Sequence, residues 1–114
     1  MTVTVPDISP PYIYDLAIRR GDSFSIDFTF LNKDYTTTTH VILSEVRDIY
    51  SRMLIATFTL TANINIVTIA LTAAQTSALR PGTYEYDVVV YYDDTATTRV
   101  KGSFKIEGNT TENT

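Results

Sequence analysis

The sequence predicts an all-β domain: two antiparallel sheets packed face to face as a β-sandwich of about seven strands, with one short helical turn. Three observations carry that prediction. Apolar and polar residues alternate with period two in segment after segment, as in strands with one face in a core and the other in solvent. The breaks between these segments hold Asn, Asp, Gly and Pro, the residues that reverse a chain. Of the 114 residues, 44% are apolar and none is Cys, so one small domain must hold together by packing, without disulfides.

The elements follow in order. Val5-Pro6-Asp7-Ile8-Ser9-Pro10-Pro11 contains three of the four prolines. Proline lacks an N–H and is excluded from central strands, so residues 1–11 are expected to form an extended N-terminal arm. The sandwich is expected over residues 12–107, opening with an edge strand at Tyr12-Ile13-Tyr14-Asp15-Leu16-Ala17-Ile18. In residues 23–30, Phe24, Ile26, Phe28 and Phe30 take every even position and polar residues every odd one, which no helix accommodates. Asn32-Lys33-Asp34 then opens a polar, Thr-rich loop that reaches Thr39. In the next strand, Ile42, Ser44 and Val46 are expected inward and Val41, Leu43 and Glu45 outward. Leu54, Ala56, Phe58 and Leu60 share one face of a further strand, and Val67, Ile69 and Leu71 one face of another, with a tight connection at Ala62-Asn63.

One segment departs from the alternation. Thr72-Ala73-Ala74-Gln75 has the spacing of a capping box, in which the Thr hydroxyl and the Gln side chain satisfy exposed backbone N–H groups. It predicts a helical turn ended by Pro81-Gly82, with Leu79 plugging one end of the core. Two strands follow. Tyr84, Tyr86, Val88 and Val90 face inward in the first, and Val100, Phe104 and Ile106 stand opposite Arg99, Lys101 and Lys105 in the second, with the hairpin tip at Asp93-Asp94-Thr95-Ala96. Residues 108–114 have no apolar anchor and read as a polar C-terminal tail.

Composition excludes several function classes. A net charge of −4 with nine scattered basic residues offers no footprint for phosphates, so no nucleic-acid partner is expected. No apolar run approaches the roughly 18 residues of a membrane span, and no basic region followed by an apolar stretch opens the chain. A soluble, unprocessed protein with no membrane partner is expected. His40 is the one histidine, and without cysteines it has no company for a metal or nucleophile site, so it reads as structural. Asp27, Glu45, Glu85 and Asp87 fall on solvent faces, where carboxylates stay ordinary. The expectation is no enzyme, no catalytic residue, no metal and no cofactor. Asp93-Asp94 suits a hairpin tip better than a calcium loop. Arg20-Gly21-Asp22 matches an adhesion tripeptide, although a turn explains its Gly and Asp equally well. Asn109-Thr110-Thr111 has the form of a glycosylation acceptor, in a tail whose polarity already explains it.

The eight tyrosines are more informative, because outward Tyr rings supply contact area at low entropic cost. Ile8 on the arm, Tyr12 and Tyr14 on the first strand, and Tyr91 near the hairpin are the candidate partner-binding residues. An extended arm of this kind suits addition to the open edge of a neighbouring sheet, or equally packing back on its own domain. A second possibility is a carbohydrate-binding or adhesion surface combining Tyr91 with Tyr50 or Tyr35. Tyr84 and Tyr86 belong inside. Leu79-Arg80-Pro81-Gly82-Thr83-Tyr84 has the form of the corner before the penultimate strand of immunoglobulin-like domains, where a Tyr hydroxyl bonds back to preceding backbone. Tyr86 then stands where antibody domains carry their second Cys. The expected fold is therefore an immunoglobulin-like sandwich without the disulfide.

The order of segments resembles a group of small bacteriophage virion proteins. The segments are Arg20-Gly21-Asp22-Ser23-Phe24, Val46-Arg47-Asp48, Leu54-Ile55-Ala56, the run from Leu71-Thr72-Ala73-Ala74-Gln75 through Leu79, Pro81-Gly82-Thr83-Tyr84-Glu85-Tyr86-Asp87-Val88, and Gly102-Ser103-Phe104. The group includes the N-terminal domain of baseplate upper proteins and immunoglobulin-like collar and tail-accessory proteins, and the likeness spans residues 16–106. It implies a structural protein localised to the virion, assembled into the tail, baseplate or neck, or decorating the head. Its expected partners are other phage structural proteins and copies of itself, as a homo-oligomer in a ring. The resemblance transfers no catalytic residues.

Overall fold

The computed structural model describes residues 1–35 and 40–108. In chain order the strands are β1 (Thr2–Val5), β2 (Tyr12–Ile13), β3 (Leu16–Arg19), β4 (Phe24–Phe30), β5 (Val41–Arg47), β6 (Leu54–Thr57), β7 (Thr59–Asn63) and β8 (Ile66–Leu71). The helical turn α1 (Ala73–Ser77) precedes β9 (Gly82–Tyr92) and β10 (Thr95–Glu107). One sheet has the order β1-β4-β8-β7 and the other β2-β10-β9-β5-β6, with β3 also paired to β10. The sheets do not close into a barrel. With β1 to β3 counted as one first strand that changes sheets, and β6 as an added edge, this is the immunoglobulin arrangement.

The core is the set of inward positions that the alternation picks out. Ile26 and Phe28 of β4 and Val67 and Ile69 of β8 face Val46, Val88, Val100 and Phe104 from the other sheet, all fully buried. Phe58 and Phe104 meet edge to face at 5.4 Å between ring centroids, and Tyr86 sets its edge against Phe58 at 6.3 Å. The capping box forms as expected: the Gln75 N–H donates to Thr72 Oγ1 at 3.1 Å, and the Thr72 N–H to Gln75 Oε1 at 2.8 Å. The corner forms too, with the Tyr84 hydroxyl donating to the Arg80 carbonyl at 2.9 Å. Tyr86, in the place of the missing Cys, ties β9 to the first strand by donating to the Tyr14 carbonyl at 2.5 Å.

The structure corrects the sequence reading in four places. Thr2–Val5 is not a free arm; it pairs with β4 and buries Val3 and Val5. The sandwich is not wholly antiparallel, since β1 on β4 and β2 and β3 on β10 are parallel pairs. Among the described residues there are ten strands, because β1 is a strand of its own and two expected strands are each divided, one into β2 and β3, both on β10, and the other into β6 and β7, which change partners. In the latter, β6 pairs with β5 and β7 with β8, and the chain crosses between sheets at the buried Phe58, whose N–H donates to the Ser44 carbonyl at 3.0 Å. An inward residue stays inward across such a corner, so alternation alone does not reveal it. Lastly, the β7–β8 tip lies at Ile64-Asn65, two residues beyond the expected connection, with Ile64 at φ 55°. Residues 36–39 of the Thr-rich loop and 109–114 of the tail, Asn109-Thr110-Thr111 included, lie outside the described residues.

Candidate functional site

Two surfaces stand out, both built by the β9–β10 hairpin. On its outer side, register sets Val41 of β5 beside Tyr91 of β9 and Ala96 of β10, and Leu43 beside Val89. Val41, Leu43 and Tyr91 are 61%, 43% and 40% exposed, so they form a contiguous apolar patch on the sheet face. The other half of the same face is charged. Arg47 pairs with Glu45 at 2.9 Å and Arg52 with Glu85, and Asp87 sits half-buried among them. Burial, then the neighbouring Glu45 charge, pushes the Asp87 carboxyl above its ordinary range.

The patch borders an open strand edge. β6 pairs with β5 only at Glu45, Val46 and Arg47. Among the described residues, no strand pairs with Val41, Ile42 or Leu43 on the side away from β9. Unpaired backbone and exposed apolar side chains therefore coincide at one place.

The inner side of the hairpin forms the second surface. The Asp93-Asp94 tip, with both residues at positive φ (50° and 62°), is a tight hairpin turn. Below it, a cavity of about 330 Å³ is lined by Tyr35, His40, Val90, Tyr92, Asp93, Thr95, Thr97 and Arg99. Tyr35 follows β4 and is 2% exposed, with its ring edge on Phe30 at 5.1 Å. His40 bridges Tyr35 and Tyr92, stacking on Tyr92 at 4.6 Å and 23°. Arg99 reaches the cavity because β10 bulges between Thr98 and Val100: Thr97 opposes the buried Val90, Val100 opposes the buried Val88, and Arg99 is the extra residue. The alternation had placed Arg99 on the solvent face, and no local sequence signal marks the bulge.

The residues singled out by sequence are scattered. Tyr91 belongs to the apolar patch, and Ile8 is exposed at 52% on the link between β1 and β2. Asp7 ties that link to the β4 end through Asn32 at 3.1 Å and Lys33 at 3.7 Å. Tyr12 and Tyr14 are half-buried, stacked on each other at 6.4 Å, with Tyr14 edge-on to Phe28. Their outward neighbour Ile13 is exposed instead. Tyr50 lies past the opposite end of β5 from Tyr91, and Tyr35 is interior, so neither shares a surface with Tyr91. Arg20-Gly21-Asp22 serves as a turn held by α1: Arg20 Nε donates to the Ser77 and Leu79 carbonyls, and the Gly21 N–H to Thr76 Oγ1. Among the described residues, no three His, Asp or Glu side chains group as metal ligands.

No family model and no curated protein matches this chain. Among solved structures, an endo-fucoidan hydrolase from glycoside hydrolase family 107 is similar in fold, with a TM-score of 0.54 at 11% identity. The match covers 85% of this chain and 13% of that one, so the likeness concerns the fold of a small part of a much longer protein.

Proposed function

We propose that this chain is a structural protein of a bacteriophage virion, assembled into the tail, baseplate or neck by contacts with copies of itself and with other virion proteins. The observation that carries the reading is the coincidence of the open β5 edge with Val41, Leu43 and Tyr91 on the adjoining face. A strand added at that edge gains backbone hydrogen bonds and covers the patch in one step. Symmetric repetition in a ring multiplies a modest contact through avidity. The resemblance of the ordered segments to phage collar and baseplate modules supports the virion context.

The test is light scattering on the purified chain with mass spectrometry of purified particles from a phage encoding it. Oligomers lost in Leu43→Lys at unchanged thermal stability, together with the chain's presence in particles, are the expected results. A monomeric chain absent from particles refutes the reading.

A further inference from the structure

Four aromatic rings run in line from the core to the hairpin. Phe30 meets Tyr35 at 5.1 Å between centroids, Tyr35 meets His40 at 5.4 Å, and His40 stacks on Tyr92 at 4.6 Å. The first two contacts are edge to face, and Phe30 and Tyr35 are buried, so the row is anchored in the interior. Its last ring, Tyr92, is 54% exposed. A surface tyrosine beside a hairpin tip is thus held in one orientation, which cuts the entropic cost of ordering it on binding.

Strand order decides which face of that ring is free. The strands run β10-β9-β5, and His40 immediately precedes β5, so it stacks on Tyr92 from the β5 side and the other face looks toward β10. There Thr95 opposes Tyr92 and Thr97 opposes Val90, which puts both threonine side chains on the same side of the hairpin as the Tyr92 ring. All of these line the cavity of about 330 Å³. Threonine is much shorter than tyrosine, so the cavity has a hydroxyl floor beside an aromatic wall, with Asp93 at the tip. Asp93 and Thr95 are exposed and Thr97 is half-buried, so a ligand reaches all three. Tyr35 Oη and Arg99 Nε are sealed from solvent and take no part.

We propose that this cavity binds one neutral pyranose ring of a saccharide chain. The slightly positive C–H face of the sugar lies on the free face of Tyr92, and its hydroxyls bond to Thr95, Thr97 and the Asp93 carboxylate. A pyranose presents an apolar face and a rim of hydroxyls together, which is what a wall and floor of this kind require. The exposed Asp93-Asp94 pair at the tip, in a chain of net charge −4, disfavours uronates, sulfated sugars and nucleotides. The volume lies at the small end of the range for ligand sites and suits a single ring. None of these residues belongs to the β5 edge or its apolar patch, so this site and the assembly surface stand or fall separately.

The test is a ¹⁵N amide-shift titration of the full chain with neutral trisaccharides of glucose, galactose, mannose and N-acetylglucosamine. Glucuronate oligomers, sulfated galactose oligomers and sorbitol, a polyol without a ring, are the controls. At least one neutral trisaccharide is expected to bind with Kd below about 10 mM, moving the amides of His40, Tyr92, Asp93, Thr95 and Thr97. Tyr92→Ala should weaken binding about tenfold and Tyr92→Phe by no more than about twofold, because the ring face and not the hydroxyl carries the contact. Asp93→Asn should weaken it several-fold. If Tyr92→Ala alters the fold, Tyr92→Phe, Asp93→Asn and the wild-type panel decide. No movement at those amides, tighter binding of the acidic oligomers, an equal response to sorbitol, or undiminished binding by a folded Tyr92→Ala overturns the proposal.

Discussion

Gly102→Ala isolates one close approach of backbone to backbone. A Cβ at position 102 would lie 2.1 Å from the Tyr14 carbonyl oxygen, 2.7 Å from its carbon and 3.0 Å from Asp15 Oδ1. The two nearest atoms are backbone, and Asp15 Oδ1 is held by the Ser103 N–H, so the Tyr14-Asp15 crossing must retreat by roughly 1 Å to reach ordinary van der Waals contact. Three hydrogen bonds hold that crossing: the Tyr14 N–H to the Lys101 carbonyl at 2.9 Å, the Ser103 N–H to Asp15 Oδ1 at 2.9 Å, and the Tyr86 hydroxyl to the Tyr14 carbonyl at 2.5 Å. Losing the first two costs about 1 kcal/mol each, and stranding the hydroxyl of the buried Tyr86 about 1–3 kcal/mol. The substitution should therefore destabilise by about 3–5 kcal/mol, less if the sheet bends to preserve one bond. For a domain of this size that lowers the melting temperature by roughly 15–30 °C. Urea unfolding followed by tyrosine fluorescence measures it, and Tyr86→Phe alone should reproduce about 1 kcal/mol. A Gly102→Ala variant within about 0.5 kcal/mol of wild type would show that the crossing is not set by steric contact with residue 102.

Other consequences are equally direct. Thr76 Oγ1 is buried, accepts from the Gly21 N–H at 3.0 Å and contacts the Asp22 carbonyl at 2.8 Å; Thr76→Val should cost about 1–3 kcal/mol in chemical denaturation, whereas an unchanged midpoint would mean water replaces the hydroxyl. Because the folded state raises the Asp87 pKa, it holds that proton more tightly than the unfolded chain, so this group's stabilising effect is present in acid and lost as pH rises above about 4. Asp87→Asn should therefore gain on wild type at pH 7 relative to acid, and paired urea curves showing a pH-independent difference would contradict this. Deleting residues 1–11 removes the buried Val3 and Val5 and bares the β4 edge, so a loss of at least about 3 kcal/mol is expected; an unchanged melting temperature would show that β1 is dispensable.

What the sequence made legible is what depends on side-chain periodicity. Phe24 to Phe30, Tyr84 to Val90 and Val67 to Leu71 alternate because their strands stay within one sheet and face one core. The Thr72 capping box and the Tyr84 corner were legible because each is a local bond between residues three or four apart. Features that depend on partner choice were not. Thr2-Val3-Thr4-Val5 alternates as well as any strand, yet the prolines after it drew attention to an arm, and its parallel pairing to β4 has no local signature. The cavity has a related cause: the bulge that turns Arg99 inward is a property of the β9–β10 register, and Tyr35 lies outside any strand, buried through its ring contacts with Phe30 and His40.

The N-terminal segment also determines where an added strand can go. β1 covers the free edge of β4, and after the link at residues 6–11 the same segment covers β10 with β2 and β3. One short stretch of chain thus protects an edge of each sheet, which leaves the β7 side of one sheet and the β5–β6 side of the other. β7 presents Thr59, Thr61 and Asn63 as its exposed residues, a polar edge that discourages pairing. β5 presents Val41 and Leu43, and β6 stops short of both. In the proposed assembly a partner strand is therefore directed to residues 41–43, extending the six-stranded sheet sideways and laying its own outward side chains beside Val41 and Leu43, with Tyr91 one strand further in.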